Sequence, residues 1–272
     1  MPEGDVVRRT AHRLDQALAG RRLVRAELRW PSVAGIELAG RSVLGTIAYG
    51  KHLLTRIDDG RTLHTHLRME GSWSIVRTGT REAAGRGPFV RVVLAAEPWT
   101  AIGDRLGMVD VLATRDEPRL LAHLGPDLLA DDFVDDGLGR ALRSLHRDPD
   151  RAVCDALLDQ SVVAGIGTIF TAESLYAERL WPWVRSADVP DPRALLLTAR
   201  RLMIGALEKP WRPGLSDQRG LPAVHGRARQ PCRHCGTTIS VRQSGPPARQ
   251  RPIFYCPACQ AQGPPARAET PP

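Results

Sequence analysis

The chain has 272 residues, 42% of them hydrophobic and 25% charged, with a formal net charge of +8. That length supports two or three cores, and no apolar run approaches the roughly 20 residues that span a bilayer, so a helical membrane protein is excluded. The basic excess suits a polyanionic partner, and it is carried by 36 Arg against only two Lys, Lys51 and Lys209.

In chain order, Asp5 to Leu18 places Val7, Ala11, Leu14 and Leu18 at helical spacing, with Asp5 at the start and Gly20 at the end, which predicts an amphipathic helix. Short β-like runs follow: 23–30, 42–49, 52–57, 62–67, 72–76, 89–95 and 108–112, separated by Gly, Pro and Asp-Gly signals such as Asp59-Gly60. Seven such runs predict a β-sandwich over residues 1–125. After Leu124-Gly125-Pro126-Asp127 and the acidic connector 131–136, the pattern turns helical at 138–146, 151–160, 169–179 and 193–207, giving a second domain over 126–220. Between the middle two helices, Ser161 to Thr168 forms a turn carrying Gly165 and Gly167 that opens onto a helix N-terminus. Backbone N–H groups there make an anion site that needs no side-chain charge, although an ordinary tight turn reads the same way. A Pro- and Gly-rich stretch from residue 210 leads to a third module at 221–262, and 263–272 reads as a disordered tail.

That third module holds Cys232, Cys235, Cys256 and Cys259, two C-x2-C pairs separated by twenty residues. Two such turns present four thiolates to one tetrahedral zinc ion. Two disulfides or a redox pair are the rival readings, but no charged-then-apolar signal segment or thioredoxin-like pattern accompanies the cysteines. The fifth, Cys154, lies in an apolar run and reads as a buried, inert thiol. From Arg219 to Arg267 there are eight Arg and no Asp or Glu, so this segment cannot neutralise itself and nucleic acid is the natural partner.

Taken together, these motifs resemble the formamidopyrimidine-DNA glycosylase and endonuclease VIII family. The resemblance runs through Met1-Pro2-Glu3-Gly4, Tyr49-Gly50-Lys51-His52, His66-Leu67-Arg68-Met69, Leu124 to Asp127, Leu157 to Gln160, Val163 to Gly167, and the cysteine hairpin with Arg251 to Cys256. Met-Pro-Glu-Gly points to the endonuclease VIII branch. The resemblance implies a multidomain α+β protein: an N-terminal β-sandwich with flanking helices, a helical helix-two-turn-helix domain and a C-terminal zinc-finger β-hairpin. It implies a bifunctional base-excision repair enzyme acting on oxidised bases, mainly pyrimidines, in damaged double-stranded DNA, with bubbles and single strands left open. One structural zinc, a monomeric chain and a cytoplasmic place, at the nucleoid if bacterial, complete the expectation.

By the same resemblance, Pro2, exposed by removal of Met1, is the nucleophile at C1′ of the damaged nucleotide. An α-amino group titrates about two units below Lys, so part of it is neutral and nucleophilic at neutral pH. Glu3 serves proton transfer, and Lys51 contacts the lesion strand and assists catalysis. Arg251 grips phosphates, the Gly165 to Thr168 turn binds the backbone, and Met69, Arg105 and Leu106 fill the space left by the flipped base. Two departures from the family pattern stand out: Val6 where Glu is common, and Thr168 where Asn is usual. They keep open a non-catalytic or lyase-only DNA-binding paralogue, while a generic zinc-ribbon protein leaves Pro2-Glu3 unexplained.

Overall fold

A computed structural model describes residues 2–208 and 222–261, and it divides into two compact units, Met1–His123 and Leu124–Pro272. The position of Met1, the 210–221 stretch and the 263–272 tail lie outside the described residues. Among the described residues, no helix is long and apolar enough to cross a membrane.

The first unit opens with α1 (Gly4–Leu18), whose inward stripe of Val7, Ala11, Leu14, Ala17 and Leu18 is buried. Glu3 is the N-cap residue, in extended conformation. The strands are β1 (Arg25–Leu28), β2 (Val43–Tyr49), β3 (His52–Ile57), β4 (Arg61–His66), β5 (Ser72–Arg77), β6 (Val90–Ala96), β7 (Trp99–Asp104) and β8 (Met108–Ala113). They form two antiparallel four-stranded sheets, ordered β1-β6-β7-β5 and β2-β3-β4-β8. One core joins α1 to both sheets through Leu23, Leu53, Ile57, Leu63, Leu94 and Val109. The expected sandwich is therefore present, with one strand more than the pattern predicts. β7 was hidden because Pro98 precedes it and Gly103 interrupts it, yet it pairs with both β5 and β6.

A short helix, α2 (Glu117–Leu121), closes the unit by turning Glu117 inward, 5% exposed. Arg56 donates to both carboxylate oxygens, at 2.6 to 3.2 Å, and the Thr62 hydroxyl donates at 2.6 Å. Burial alone raises the pKa of such a carboxyl, but these donors outweigh it and hold Glu117 below its ordinary value.

The second unit contains α3 (Gly137–Leu145), α4 (Val153–Leu158), α5 (Thr168–Ala177), α6 (Pro192–Glu208) and the hairpin β9 (Ser240–Ser244) and β10 (Arg251–Tyr255). Leu128, Phe133, Leu138, Leu157, Leu175 and Leu196 are among its buried residues. The cysteine hairpin, expected as a module of its own, packs on α5: Ala172 and Tyr176 join Val224, Cys232, Ile239 and Cys256 in a small cluster.

Glu117→Gln is expected to lower stability at pH 7 by about 1–2 kcal/mol, discounted because the Arg56 side chain is 41% exposed. Because the folded pKa is depressed, that stability is present above the ordinary value of 4.5 and is lost as pH falls through the folded value. Denaturant melts of the two proteins should therefore converge in acid; a gap that persists at low pH would assign the effect to packing instead.

Candidate nucleic-acid interface and catalytic residues

Loops at one end of the sandwich gather most of the first unit's candidate residues. His52 opens β3 directly opposite His66 at the end of β4, which in turn faces Met108. In the other sheet, Ser72 and Val90 both pair with Asp104, so Met69, Phe89 and Arg105 flank that same end. Lys51, in the β2-β3 turn, is 8% exposed; burial lowers the pKa of both His52 and His66, and the Lys51 charge adds to it. At the start of α1, Glu3 and Asp5 are each 1% exposed, and Pro2 is half-buried.

Met69 is 64% exposed, and Arg105 stacks its guanidinium 4.4 Å from the Phe89 ring while pairing with Glu70 at 3.4 Å and Asp104 at 3.5 Å. Arg105 has φ +48°, a left-handed conformation uncommon outside glycine, so the loop holds it in place at some strain. Leu106 does not join it: at 2% exposure it is part of the sandwich core, and in this conformation it cannot fill a void in DNA. The exposed aromatic at this end is Phe89, at 47%, which the β-pattern absorbed as the first residue of a strand.

Around His52 the sequence motifs concealed a histidine cluster. His52 stacks on His64 with centroids 5.0 Å apart, and His66 and His123 lie edge-on at 5.2 and 6.2 Å. Nδ1 of His52 and Nε2 of His64 are hydrogen-bonded at 2.8 Å, while the Arg68 N–H donates to His66 Nδ1 at 2.8 Å. Burial, reinforced by neighbouring positive charge, pushes His52 down to about 3 and His66 to about 4, and burial also lowers His64. All three are neutral at pH 7.

In the second unit, two sequence motifs prove to be one structure. Gly125 N–H donates to Gln160 O at 2.8 Å, Ala164 N–H to Pro126 O at 2.9 Å, and Leu128 N–H to Ala164 O at 3.1 Å. A Cβ on Gly125 would meet the Val162 backbone at 2.6 Å, which is why that position is glycine. Gln160 then grips the turn: its amide donates to Ile166 O at 3.0 Å and Leu158 O at 3.3 Å, and its carbonyl accepts the Gly165 N–H at 3.1 Å. Gly165 has φ +98°, which L side chains rarely adopt. Among the backbone donors of this turn, the Gly165 N–H is directed to the Gln160 side chain. Gly167 is the N-cap residue of α5, and Thr168 opens the helix at 7% exposure.

Arg251 begins β10 paired with Ser244, and with Arg151 and Arg249 it lines a depression of about 380 Å³ that also holds Asp155 and Asp159. Ser244 is tied down, donating to Asp155 Oδ1 at 2.7 Å and accepting from Trp183 Nε1 at 3.0 Å. Cys154 lies 3.2 Å from the same hydroxyl, and burial pushes its thiol up to about 12, consistent with an inert residue.

The four remaining cysteines place their Sγ atoms within 4.8 Å of one another, with three separations at 3.4, 3.5 and 3.8 Å. Metal–sulfur bonds of about 2.3 Å in a tetrahedron set sulfurs about 3.8 Å apart, whereas a disulfide needs about 2.05 Å. The cluster fits one metal ion and not two disulfides. Burial and the adjoining thiols push Cys259 up to about 12 when no cation is present.

Comparison with known proteins agrees with this geometry. Residues 1–125 match the family model described as "Formamidopyrimidine-DNA glycosylase N-terminal domain". The "Probable endonuclease 8 2" of Streptomyces coelicolor is 44% identical over 265 residues, 96% of this chain and 94% of that protein. The "DNA-(apurinic or apyrimidinic site) lyase Nei2" of Mycolicibacterium smegmatis is 36% identical over 262 residues, 96% of this chain and 99% of that protein. The chain belongs to the formamidopyrimidine-DNA glycosylase family, in its endonuclease VIII branch. Its fold is that of the Lactococcus lactis formamidopyrimidine-DNA glycosylase, solved in non-covalent complex with DNA containing an AP site, at a TM-score of 0.81 and 21% identity over 96% of this chain and 100% of that one.

Against this family background the two departures acquire local causes. Val6 is partly buried against the sandwich core, a setting that suits an aliphatic side chain. Thr168 is mostly covered at the first position of α5, so its hydroxyl reaches less far than an amide there would.

Gln160→Ala is expected to cost about 2 kcal/mol, since it takes the side-chain acceptor from the buried Gly165 N–H, and it should loosen the turn. Urea unfolding, with hydrogen exchange at Gly165, measures both effects; wild-type protection in a stable variant would show that the clamp is dispensable.

Proposed function

We propose that this protein is a bifunctional DNA glycosylase and abasic-site lyase of base-excision repair, acting mainly on oxidised pyrimidines in double-stranded DNA. The observation that carries the reading is near full-length similarity to proteins named endonuclease 8 and DNA lyase, in a chain whose Pro2 and Glu3 lead into α1. With Met1 removed, the Pro2 secondary amine attacks C1′. The glycosidic bond breaks and the base leaves with its electron pair, protonated through Glu3. The new ammonium then gives up its proton, O4′ takes a proton as the C1′–O4′ bond opens, and the nitrogen lone pair forms a C1′=N iminium that acidifies C2′; loss of the C2′ proton expels the 3′ phosphate by breaking C3′–O, and a second elimination breaks C5′–O.

Lys51 contacts the lesion strand, Arg251 and the Gly165 to Thr168 turn hold phosphates, and Met69 and Arg105 occupy the vacated stack. The ion held by Cys232, Cys235, Cys256 and Cys259 is zinc, which with four thiolate ligands is structural and keeps the hairpin folded beneath Arg251. The relative named an abasic-site lyase favours a narrower form of the same reading, in which strand cleavage at abasic sites dominates base excision.

Borohydride trapping on an oligonucleotide with one abasic or one oxidised-pyrimidine site tests the chemistry. An adduct is expected with the wild type and not with Pro2→Gly; no adduct from Met-free protein sinks the reading. An adduct with the abasic site alone selects the lyase-dominant form. Metal analysis should return one zinc per chain, and Cys256→Ser should lose zinc and bind abasic DNA at least tenfold more weakly. Normal DNA binding by that variant would separate the hairpin from recognition.

A further inference from the structure

The histidine cluster contains one group whose burial is unexplained by packing. His64 is 1% exposed, and its Nδ1 is a buried polar atom without a hydrogen-bond partner among the described residues. Its other nitrogen is the one bonded to His52 Nδ1 at 2.8 Å. Two tautomer arrangements satisfy that bond. If His52 donates, His64 must carry its proton on Nδ1, leaving a buried N–H with no acceptor. If His64 donates from Nε2, the orphan is only a lone pair, and buried acceptors are left unsatisfied more readily than buried donors. The second arrangement wins. A neutral His52 that accepts on Nδ1 then carries its proton on Nε2, an atom that is not among the buried unpartnered ones.

The groups facing this ring are Lys51, His66 and His123, while Asp110 and Arg68 act on His64 and His66 respectively. Burial lowers the pKa of His52, His64 and His66 and keeps these three rings uncharged, so Lys51 is a cation beside a neutral His52. A neutral N–H beside an ammonium adds a directed bond to an anionic oxygen without charge repulsion between the two donors. Resting on the DNA-repair reading above, we propose that His52 is a further substrate-contacting residue, donating its Nε2–H to a phosphate oxygen of the strand held at Lys51. His64 is the positioning residue that fixes the His52 tautomer. The buried lone pair on His64 is the cost of that arrangement.

The test uses the full chain and two independent readouts. Long-range proton–nitrogen NMR reports the His52 tautomer, and titration with a duplex carrying a tetrahydrofuran abasic analogue reports affinity without cleavage. The wild type should show His52 protonated on Nε2. His64→Leu should mix the tautomers and weaken binding about five- to tenfold, the range of one lost hydrogen bond. In His64→Gln the side-chain amide N–H2 can stand where the imidazole Nε2–H stood, so both readouts should return toward wild type. His52→Phe should lose as much affinity as His64→Leu, with no further loss in the double variant.

A wild-type His52 protonated on Nδ1 overturns the proposal. So does a folded His64→Leu or His52→Phe protein with unchanged affinity. Should His64→Leu fail to fold, His64→Gln and His52→Phe decide by the same criteria. A wild type that ignores abasic duplex but shows the Nε2–H tautomer would sink the repair reading and the DNA contact together, and leave the positioning by His64 standing.

Discussion

The second unit depends on the fixed position of α5. Phe170, Thr171, Ala172, Ser174 and Leu175 are buried around most of its circumference, so the helix is enclosed on most sides. Its N-terminus is set by the Gln160 clamp on the Gly165 turn. One turn along, the Glu173 carboxylate accepts the backbone N–H groups of Ala223, Val224 and His225 at 2.8 to 3.0 Å. Ala172 and Tyr176 form the floor of the cysteine cluster, with the Tyr176 hydroxyl 3.3 Å from Cys232 Sγ. The Gly165 turn and the cysteine hairpin are thus two fittings on one rod. A hairpin with so small a core cannot hold its shape unaided, so α5 supports it, as would a metal ion held by the four cysteines.

In the first unit the constraint is topological. An antiparallel sandwich returns its connections to a common end, and here the β2-β3 turn, the link from β4 to β5, the approach to β6 and the exit from β7 meet there. Residues distant in sequence become neighbours without long loops. The rigid sheets also absorb the strain of Arg68 and Arg105, both at positive φ, which keeps their neighbours Met69 and Phe89 facing outward.

Legibility in the sequence followed the range of the physical signal. Helical and strand periods are local, so α1, the paired strands other than β7 and the four longer helices were readable. β7 was not, because its place between β5 and β6 compensates for weak strand propensity, information that lies in its partners. The cysteines were readable because metal geometry fixes their spacing. The histidines were not: His52, His64 and His66 alternate along two strands and look like polar positions until the β3-β4 register stacks them on one face. Leu106 misled for the opposite reason, since its neighbour Arg105 does face solvent and only the turn of the chain separates them. Leu124-Gly125-Pro126-Asp127 and the Gly165 turn were visible as motifs, but that each explains the other required their backbone contact.

The lysine at the end of the sandwich also gains a physical reason. Elsewhere this chain uses Arg for nearly every positive charge, and on its surface the guanidinium fork pairs repeatedly with carboxylates, as in Arg25 and Arg29 on Glu27 or Arg185 on Asp188. At position 51 the side chain is 8% exposed beside imidazoles. A planar five-donor group there would need acceptors that neutral histidines do not supply in number, whereas a compact ammonium needs fewer. Arg fits the surface, where the fork can straddle a carboxylate; Lys fits the end of the sandwich, where one charge must be held close among uncharged rings. The two environments demand different cations, and the sequence departs from its Arg preference at the covered one.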